Sequence, residues 1–321
     1  MSPDALSIAL RALTLMLLFQ AVGAAFFIDL FAPHLRASWH PIRLLGMATA
    51  GCAVLFALLH HGLEAARMAD DFGGLWDASL QRLAWGSRAI LSTALLVAGL
   101  LLLMGSLKRR SAKPADEQAV PTGLLWASVG GAIALCALLM SGHTSGHPAR
   151  RLLAPLLALH LLIVAFWYGA LWPLILVTRV EAAPVAAQVF ARWSTVAGYL
   201  VPLIAVAGVM MGRILTGKWP GAWAAAQHPY GQLLLLKLLL FALLMVPAAA
   251  NKWWLVPALR TAAAATPAAA RGALSALRRS IVLEMLLIAI VLTVTATLTT
   301  LYSPQPHETT RATASTMTAP A

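Results

Sequence analysis

Residues 159–174 read LHLLIVAFWYGALWPL and lie within an apolar run that extends from about residue 152 to about residue 178. His160 is the only side chain in this run that can carry a charge near neutral pH. A membrane-spanning helix needs about 20 apolar residues, so the run is long enough to cross a bilayer. Ionisable residues inside such spans are expensive and usually functional. The stretch therefore predicts a membrane helix that carries one functional histidine.

The composition extends this prediction to the whole chain. Of its 321 residues, 60% are hydrophobic and 11% are charged, whereas soluble domains carry about 25% charged residues. The net charge is +12, but the basic residues concentrate in short loops between apolar runs. That pattern is typical of membrane topology signals rather than of a nucleic-acid-binding surface. The sequence therefore predicts membrane lipid, and no nucleic acid, as a partner.

Eight apolar runs are long enough to cross a bilayer. They lie at about residues 5–31, 42–60, 82–107, 122–140, 152–178, 193–215, 231–250 and 280–301. Helices are expected because a bilayer cannot satisfy open backbone groups. The first run is too long for a signal peptide and has an acidic residue before its first basic one, so it is expected to be retained. The predicted fold class is an all-α polytopic membrane bundle with eight transmembrane helices.

The same runs divide the chain into two halves and a tail. We expect a four-helix half over residues 1–140, a second four-helix half over 141–302, and a disordered tail over 303–321, which is rich in Thr, Pro and Ala. The odd-numbered connections carry more Lys and Arg than the even-numbered connections and the tails. Cytoplasmic loops hold this excess. Both termini are therefore predicted to be periplasmic.

Soft metal-binding side chains follow one another around the end of the fourth run. These are Cys136, Met140, His143 and His147, spaced by four, three and four residues. Such spacing places side chains on one helical face, although the intervening glycines oppose a continuous helix. Thiolate and thioether groups select Cu(I), and imidazole suits copper and zinc. The series predicts metal ligands that lead from the outer side into the membrane; ordinary packing residues and solvated histidines are the alternative.

Other candidate donors fall at the same outer level under this topology. They are His60, His61, Met210 and Met211. Methionine is also common as filler in apolar helices, and a lone imidazole such as His160 can hydrogen-bond another helix. His160 lies about eight residues into its span, roughly 12 Å deep at 1.5 Å per residue. It is the deepest of the candidate histidine ligands.

Four further residues have a structural interpretation. Trp167 and Gly169 are expected to hold the helix that carries His160, since glycine allows close helix approach. Lys237 is expected to extend outward to the membrane interface. Glu284 is expected to pair with the arginines at 278 and 279. None of the four is predicted from the residues alone to bind metal.

Five short motifs occur in order in the second half of the chain. They are Ser141-Gly142-His143, His160 followed by Trp167 and Gly169, and the stretches 230–237 (YGQLLLLK), 250–257 (ANKWWLVP) and 277–284 (LRRSIVLE). Together they resemble the copper resistance protein D (CopD) family over roughly residues 140–301. The resemblance implies copper handling at the bacterial inner membrane beside a separate periplasmic copper-binding protein of the CopC type. It also implies that His143, His160 and Lys237 are family-type positions.

The main functional hypothesis is a permease that moves copper, most simply as Cu(I), from the periplasm towards the cytoplasm. The sequence has no Walker A loop for an ATP motor, and no enzymatic activity is expected. One alternative is an electron-transfer haem protein of the cytochrome b type, with His60 and His160 as axial ligands. Another is a membrane protein that binds copper for assembly or regulation without transporting it.

Overall fold

The computed structural model describes residues 2–109, 120–140, 147–216 and 226–302, and over these ranges it contains helices and no strand. The helices are α1 (Pro3–Phe31), α2 (Trp39–Gly62), α3 (Glu64–Ala69), α4 (Ala78–Gly86), α5 (Arg88–Arg109), α6 (Val120–Leu139), α7 (Arg150–Val180), α8 (Ala183–Thr216), α9 (Pro229–Ala250), α10 (Val256–Ala265) and α11 (Pro267–Leu301). A π-helical turn, Asn251–Leu255, joins α9 to α10. The predicted tail, 303–321, lies outside the described residues.

The predicted all-α membrane bundle is confirmed, and the protein is a multi-pass membrane protein. In the described ranges, seven helical segments are long and apolar enough to cross a membrane. The predicted fourth span corresponds to α6, which contributes a shorter apolar helix, Leu125–Leu139. The predicted count of eight crossings is therefore not confirmed and stays a prediction.

Helices α1 and α7 meet at the centre of the bundle through two glycines. A Cβ atom added at Gly23 would overlap the backbone of Ala165 and Gly169, and one added at Gly169 would overlap Phe19 and Gly23. Gln20 of α1 also donates a hydrogen bond to the Gly169 carbonyl, with the two atoms 2.8 Å apart. The two backbones can approach this closely only because both positions lack a side chain.

Replacing Gly169 by alanine is expected to destabilise the protein by about 1–3 kcal/mol, because the new methyl group overlaps the backbone of α1. Gly105 is the matched control, since an added Cβ there meets nothing within 4 Å. Gly105→Ala should be neutral or slightly stabilising, because alanine favours helix by up to about 1 kcal/mol over glycine. Thermal unfolding in detergent measures both variants. Equal melting temperatures would show that the close contact is not needed.

The two predicted halves share one hydrophobic core. Helix α1 packs against both α7 and α11, and buried residues from both halves belong to a single cluster. Helix α6 is held against α5 by a second glycine pair, Gly99 and Gly130, where an added Cβ would again overlap the partner's backbone. A boundary at residue 140 therefore separates two segments of sequence that pack together; whether they are separate units stays a prediction.

Polar contacts fasten both ends of the bundle. At the end where α1 begins, Arg67 binds Asp4 at 2.9 Å and Glu64 at 3.1 Å, and its guanidinium lies 3.5 Å from the Thr300 carbonyl near the end of α11. We call this the outer end, following the predicted topology. Both ends of the described chain lie there, an arrangement that an even number of crossings produces.

At the inner end, one carboxylate joins two loops. Glu181, after α7, accepts hydrogen bonds from the backbone of Arg36, Ala37 and Ser38 at 2.8–2.9 Å and from the Ser38 hydroxyl at 2.6 Å. Burial acts to raise the pKa of Glu181, but these four hydrogen bonds outweigh it and hold the pKa below its usual value. The contact fixes the α1–α2 loop against the start of α8.

Candidate functional site

His160 lies on the wall of a cavity of about 410 Å³ inside the bundle. The cavity is enclosed mainly by α1, α7, α8, α9 and α11. The imidazole packs over Gly208 of α8, where an added Cβ would lie 3.9 Å from His160 Cε1. Its Nδ1 atom is buried and has no hydrogen-bond partner within the part of the chain that the structure describes. A neutral imidazole with one unoccupied ring nitrogen is a ready ligand for a metal ion.

The rest of this cavity wall is apolar apart from a few polar groups. Arg11 of α1, Lys237 of α9 and Tyr230 also line it, together with the thioether of Met211. The expectation that Lys237 extends outward to the membrane interface is wrong: its half-buried side chain lines the cavity beside His160.

Trp167 separates this outer cavity from a second one. It lies seven residues after His160 on α7, is only 5% exposed, and lines both cavities. The second, inner cavity has a volume of about 270 Å³ and is lined by Asn251, Lys252 and Glu284 among mostly apolar neighbours. At 1.5 Å per residue, the indole lies about 10 Å further along the helix than the imidazole.

Three side chains from different helices meet at this partition. Trp167 Nε1 donates a hydrogen bond to Glu284 Oε2 at 3.3 Å, and Asn251 Nδ2 donates to Glu284 Oε1. Glu284 is 4% exposed. The carboxylate therefore receives one donor on each oxygen and holds α7, the π-helical turn and α11 together.

The expected ion pairs of Glu284 with Arg278 and Arg279 are not formed in the described structure. Helical geometry explains the difference, because side chains meet along a helix only when they are three or four residues apart. Positions 278 and 279 are six and five residues from Glu284, so they lie on other faces. Glu284 instead points into the bundle with Leu277 and Ile281.

The comparison with protein families bears directly on the helices that build both cavities. The family model of copper resistance protein D matches residues 187–298. Over this region, which is about a third of the chain, the sequence is similar to the copper resistance protein D family. The region spans α8 to α11 and includes Met211, Lys237 and Glu284, whereas His160 and Trp167 precede it. Neither a search of curated proteins nor a search of solved structures found a match.

The sulfur donors predicted from the sequence lie in different places. Met211 shares the outer cavity with His160, whereas Met210 is exposed on another face of α8. Cys136 is exposed on α6. Helix α6 ends at Leu139, and Met140 follows it in an exposed position. Since the helix ends before Met140, the predicted series does not run along one face of α6 as far as Met140.

The predicted histidine ligands are mostly engaged with protein groups. His60 Nδ1 lies 3.3 Å from the Ser7 hydroxyl, and its Nε2 lies 3.9 Å from Glu64. His61 is buried edge-on against Trp85, with the ring centroids 4.9 Å apart, and its Nε2 atom has no hydrogen-bond partner among the described residues. His147 Nδ1 accepts a hydrogen bond from the backbone N–H of Ala149. The position of His143 lies outside the described residues.

Among the described residues, no group of three or more His, Cys, Asp or Glu side chains could hold a metal ion. The ligand roles assigned from sequence therefore stay predictions, and the geometry favours only His160 and Met211 as a pair in one cavity. Paired axial haem ligands are not favoured, because His60 contacts Ser7 and Glu64 and does not line the cavity of His160.

Sequence reasoning missed the three-way contact of Trp167, Asn251 and Glu284. The signal was present, since each of the three residues belongs to a different motif of the family resemblance. Tyr230 and Lys237 likewise begin and end one motif, and both line the outer cavity. Four of the five motifs therefore contribute residues to the walls of the two cavities.

Proposed function

We propose that this protein moves copper across the bacterial inner membrane, with His160 as the central ligand of the outer cavity. The observation that carries the proposal is the Nδ1 atom of His160, which has no hydrogen-bond partner among the described residues and belongs to a side chain on the wall of a cavity between the helices. The similarity to copper resistance protein D supports copper as the substrate, and the cavity beside His160 is the proposed binding site.

The proposed substrate is Cu(I), and its direction is from periplasm to cytoplasm. An ion that enters the membrane interior must exchange its hydration shell for protein ligands. The imidazole of His160 and the thioether of Met211 offer one nitrogen and one soft sulfur donor, a combination that suits Cu(I) better than hard cations. A separate periplasmic protein of the CopC type would deliver the ion.

The route begins at the outer histidines and passes inward through both cavities. His143, His147, His60 and His61 would capture copper at the outer end, with Cys136, Met140 and Met210 as further candidates near the same level. The ion would next bind at His160 and Met211. Trp167 would then have to move aside before copper reached the inner cavity and Glu284.

Purified protein loaded with Cu(I) tests this proposal. We expect stoichiometric copper, an absorption spectrum without a haem Soret band, and copper uptake by proteoliposomes that contain the protein. A Soret band with little copper would favour the cytochrome alternative instead. Tight copper binding without uptake would favour a copper-binding assembly or regulatory protein.

A further inference from the structure

The outer cavity carries an excess of basic side chains. Arg11 and Lys237 both line it, and its lining residues include no Asp or Glu within the ranges that the structure describes. Neither basic residue forms an ion pair with a described carboxylate. Glu64 interacts electrostatically with Arg11, but its carboxylate, like that of Asp4, is bound to Arg67.

This charge pattern conflicts with the entry of a bare metal cation. Charges interact more strongly in the poorly polarisable interior of a protein than in water. A lone Cu(I) ion beside His160 would be repelled by Lys237, and Arg11 adds a positive charge elsewhere on the same wall, with no carboxylate in the described lining to offset them. The same two groups, with the hydroxyl of Tyr230 as a further hydrogen-bond donor, would attract an anion.

We propose that copper occupies the outer cavity together with a small soft anion, a halide or a thiolate, as a neutral or anionic complex. Copper would be bound by His160 on one side and by the anion on the other, while Lys237 and Arg11 neutralise the anion. The cavity volume of about 410 Å³ leaves room for the ion and a companion ligand. This inference rests on the proposed copper function and specifies the form of its substrate.

Chloride provides the probe. The affinity of the purified full-length protein for Cu(I) is measured by chelator competition under anaerobic conditions, once in chloride and once in methanesulfonate, which does not coordinate copper. Chloride also binds Cu(I) in solution, so each variant is compared with the unmodified protein in the same buffer. This comparison cancels the solution chemistry and leaves the contribution of the cavity.

Lys237→Gln is expected to weaken Cu(I) binding about tenfold relative to the unmodified protein in chloride, and to strengthen it in methanesulfonate, where only repulsion is removed. Arg11→Gln should act in the same direction. Lys237→Arg keeps the charge and should therefore restore the binding advantage in chloride that Lys237→Gln loses. Arg213→Gln removes an exposed charge from α8 outside the cavity lining and should change neither affinity.

Three results would overturn the inference, and they separate it from the proposed function. If Lys237→Gln and the unmodified protein had equal affinities in both buffers, the proposed anion would be excluded, whereas copper binding would remain supported. Equal weakening in both buffers would identify Lys237 as a nitrogen ligand for copper. No copper binding in either buffer would overturn the proposed function together with the inference.

Discussion

Replacing His160 by alanine is expected to abolish copper transport while the protein still inserts and folds. The change removes the buried imidazole whose Nδ1 has no partner in the described structure. Loss of groups that merely orient a metal ligand typically costs 10–100-fold, so loss of the ligand itself should lower uptake by more than about tenfold. Uptake is measured with a copper-sensitive dye inside proteoliposomes, and insertion by the elution profile of the purified variant.

Two further variants make this result specific. His228→Ala removes an exposed histidine just before α9 and should transport copper normally. Met211→Ala removes the thioether from the cavity and should reduce uptake less than His160→Ala, because imidazole is the more strongly bound donor in the proposed pair. Normal copper uptake by His160→Ala would exclude this histidine from the transport mechanism.

The sequence predicted His160 as the central residue because an imidazole in a long apolar run is costly to bury. That cost does not depend on which helices surround the run. The argument needed no knowledge of neighbouring helices. The same holds for the fold class, which follows from run length and from the need to satisfy backbone groups. Local properties of single segments were enough to make both predictions; the structure confirms the fold class, and the role of His160 stays a prediction.

Predictions about partners failed where they depended on which helical faces meet. Lys237 was expected at the interface and Glu284 beside two arginines, because only neighbours along the same segment were considered. In the structure, Lys237 shares a cavity with residues of five other helices, and Glu284 bonds to Trp167, which precedes it by 117 residues. The spacing of residues identifies which side chains share one face of a helix, but it does not identify the helix that packs against that face.

The residues that meet at Glu284 all belong to the motifs that carry the family resemblance, but the sequence does not show that these motifs contact one another. Trp167, Asn251 and Glu284 each stand in a different motif, and sequence alone gives no reason to join them. Their convergence at one carboxylate explains why the motifs are spread over three helical segments. It also shows that the residue interpreted as structural, Trp167, is the wall between two cavities.

Replacing Trp167 by alanine is expected to have a large effect on both stability and membrane permeability. In Trp167→Ala, the outer cavity of about 410 Å³ and the inner cavity of about 270 Å³ would join. Buried Trp→Ala changes typically cost about 3–5 kcal/mol of stability. We therefore expect a lower melting temperature together with a copper-independent leak of protons through proteoliposomes, followed with a pH-sensitive dye inside them.

Trp167→Phe separates the two roles of the indole. Phenylalanine keeps an aromatic ring between the cavities but lacks the N–H group that donates to Glu284. The free energy of unfolding should fall by about 1–3 kcal/mol, because a buried acceptor loses one hydrogen bond. Proteoliposomes that contain this variant should remain impermeable to protons. If Trp167→Ala proteoliposomes were equally tight, the indole would not be the barrier between the cavities. If Trp167→Phe leaked as strongly as Trp167→Ala, the barrier would depend on the hydrogen bond to Glu284 rather than on the bulk of the ring.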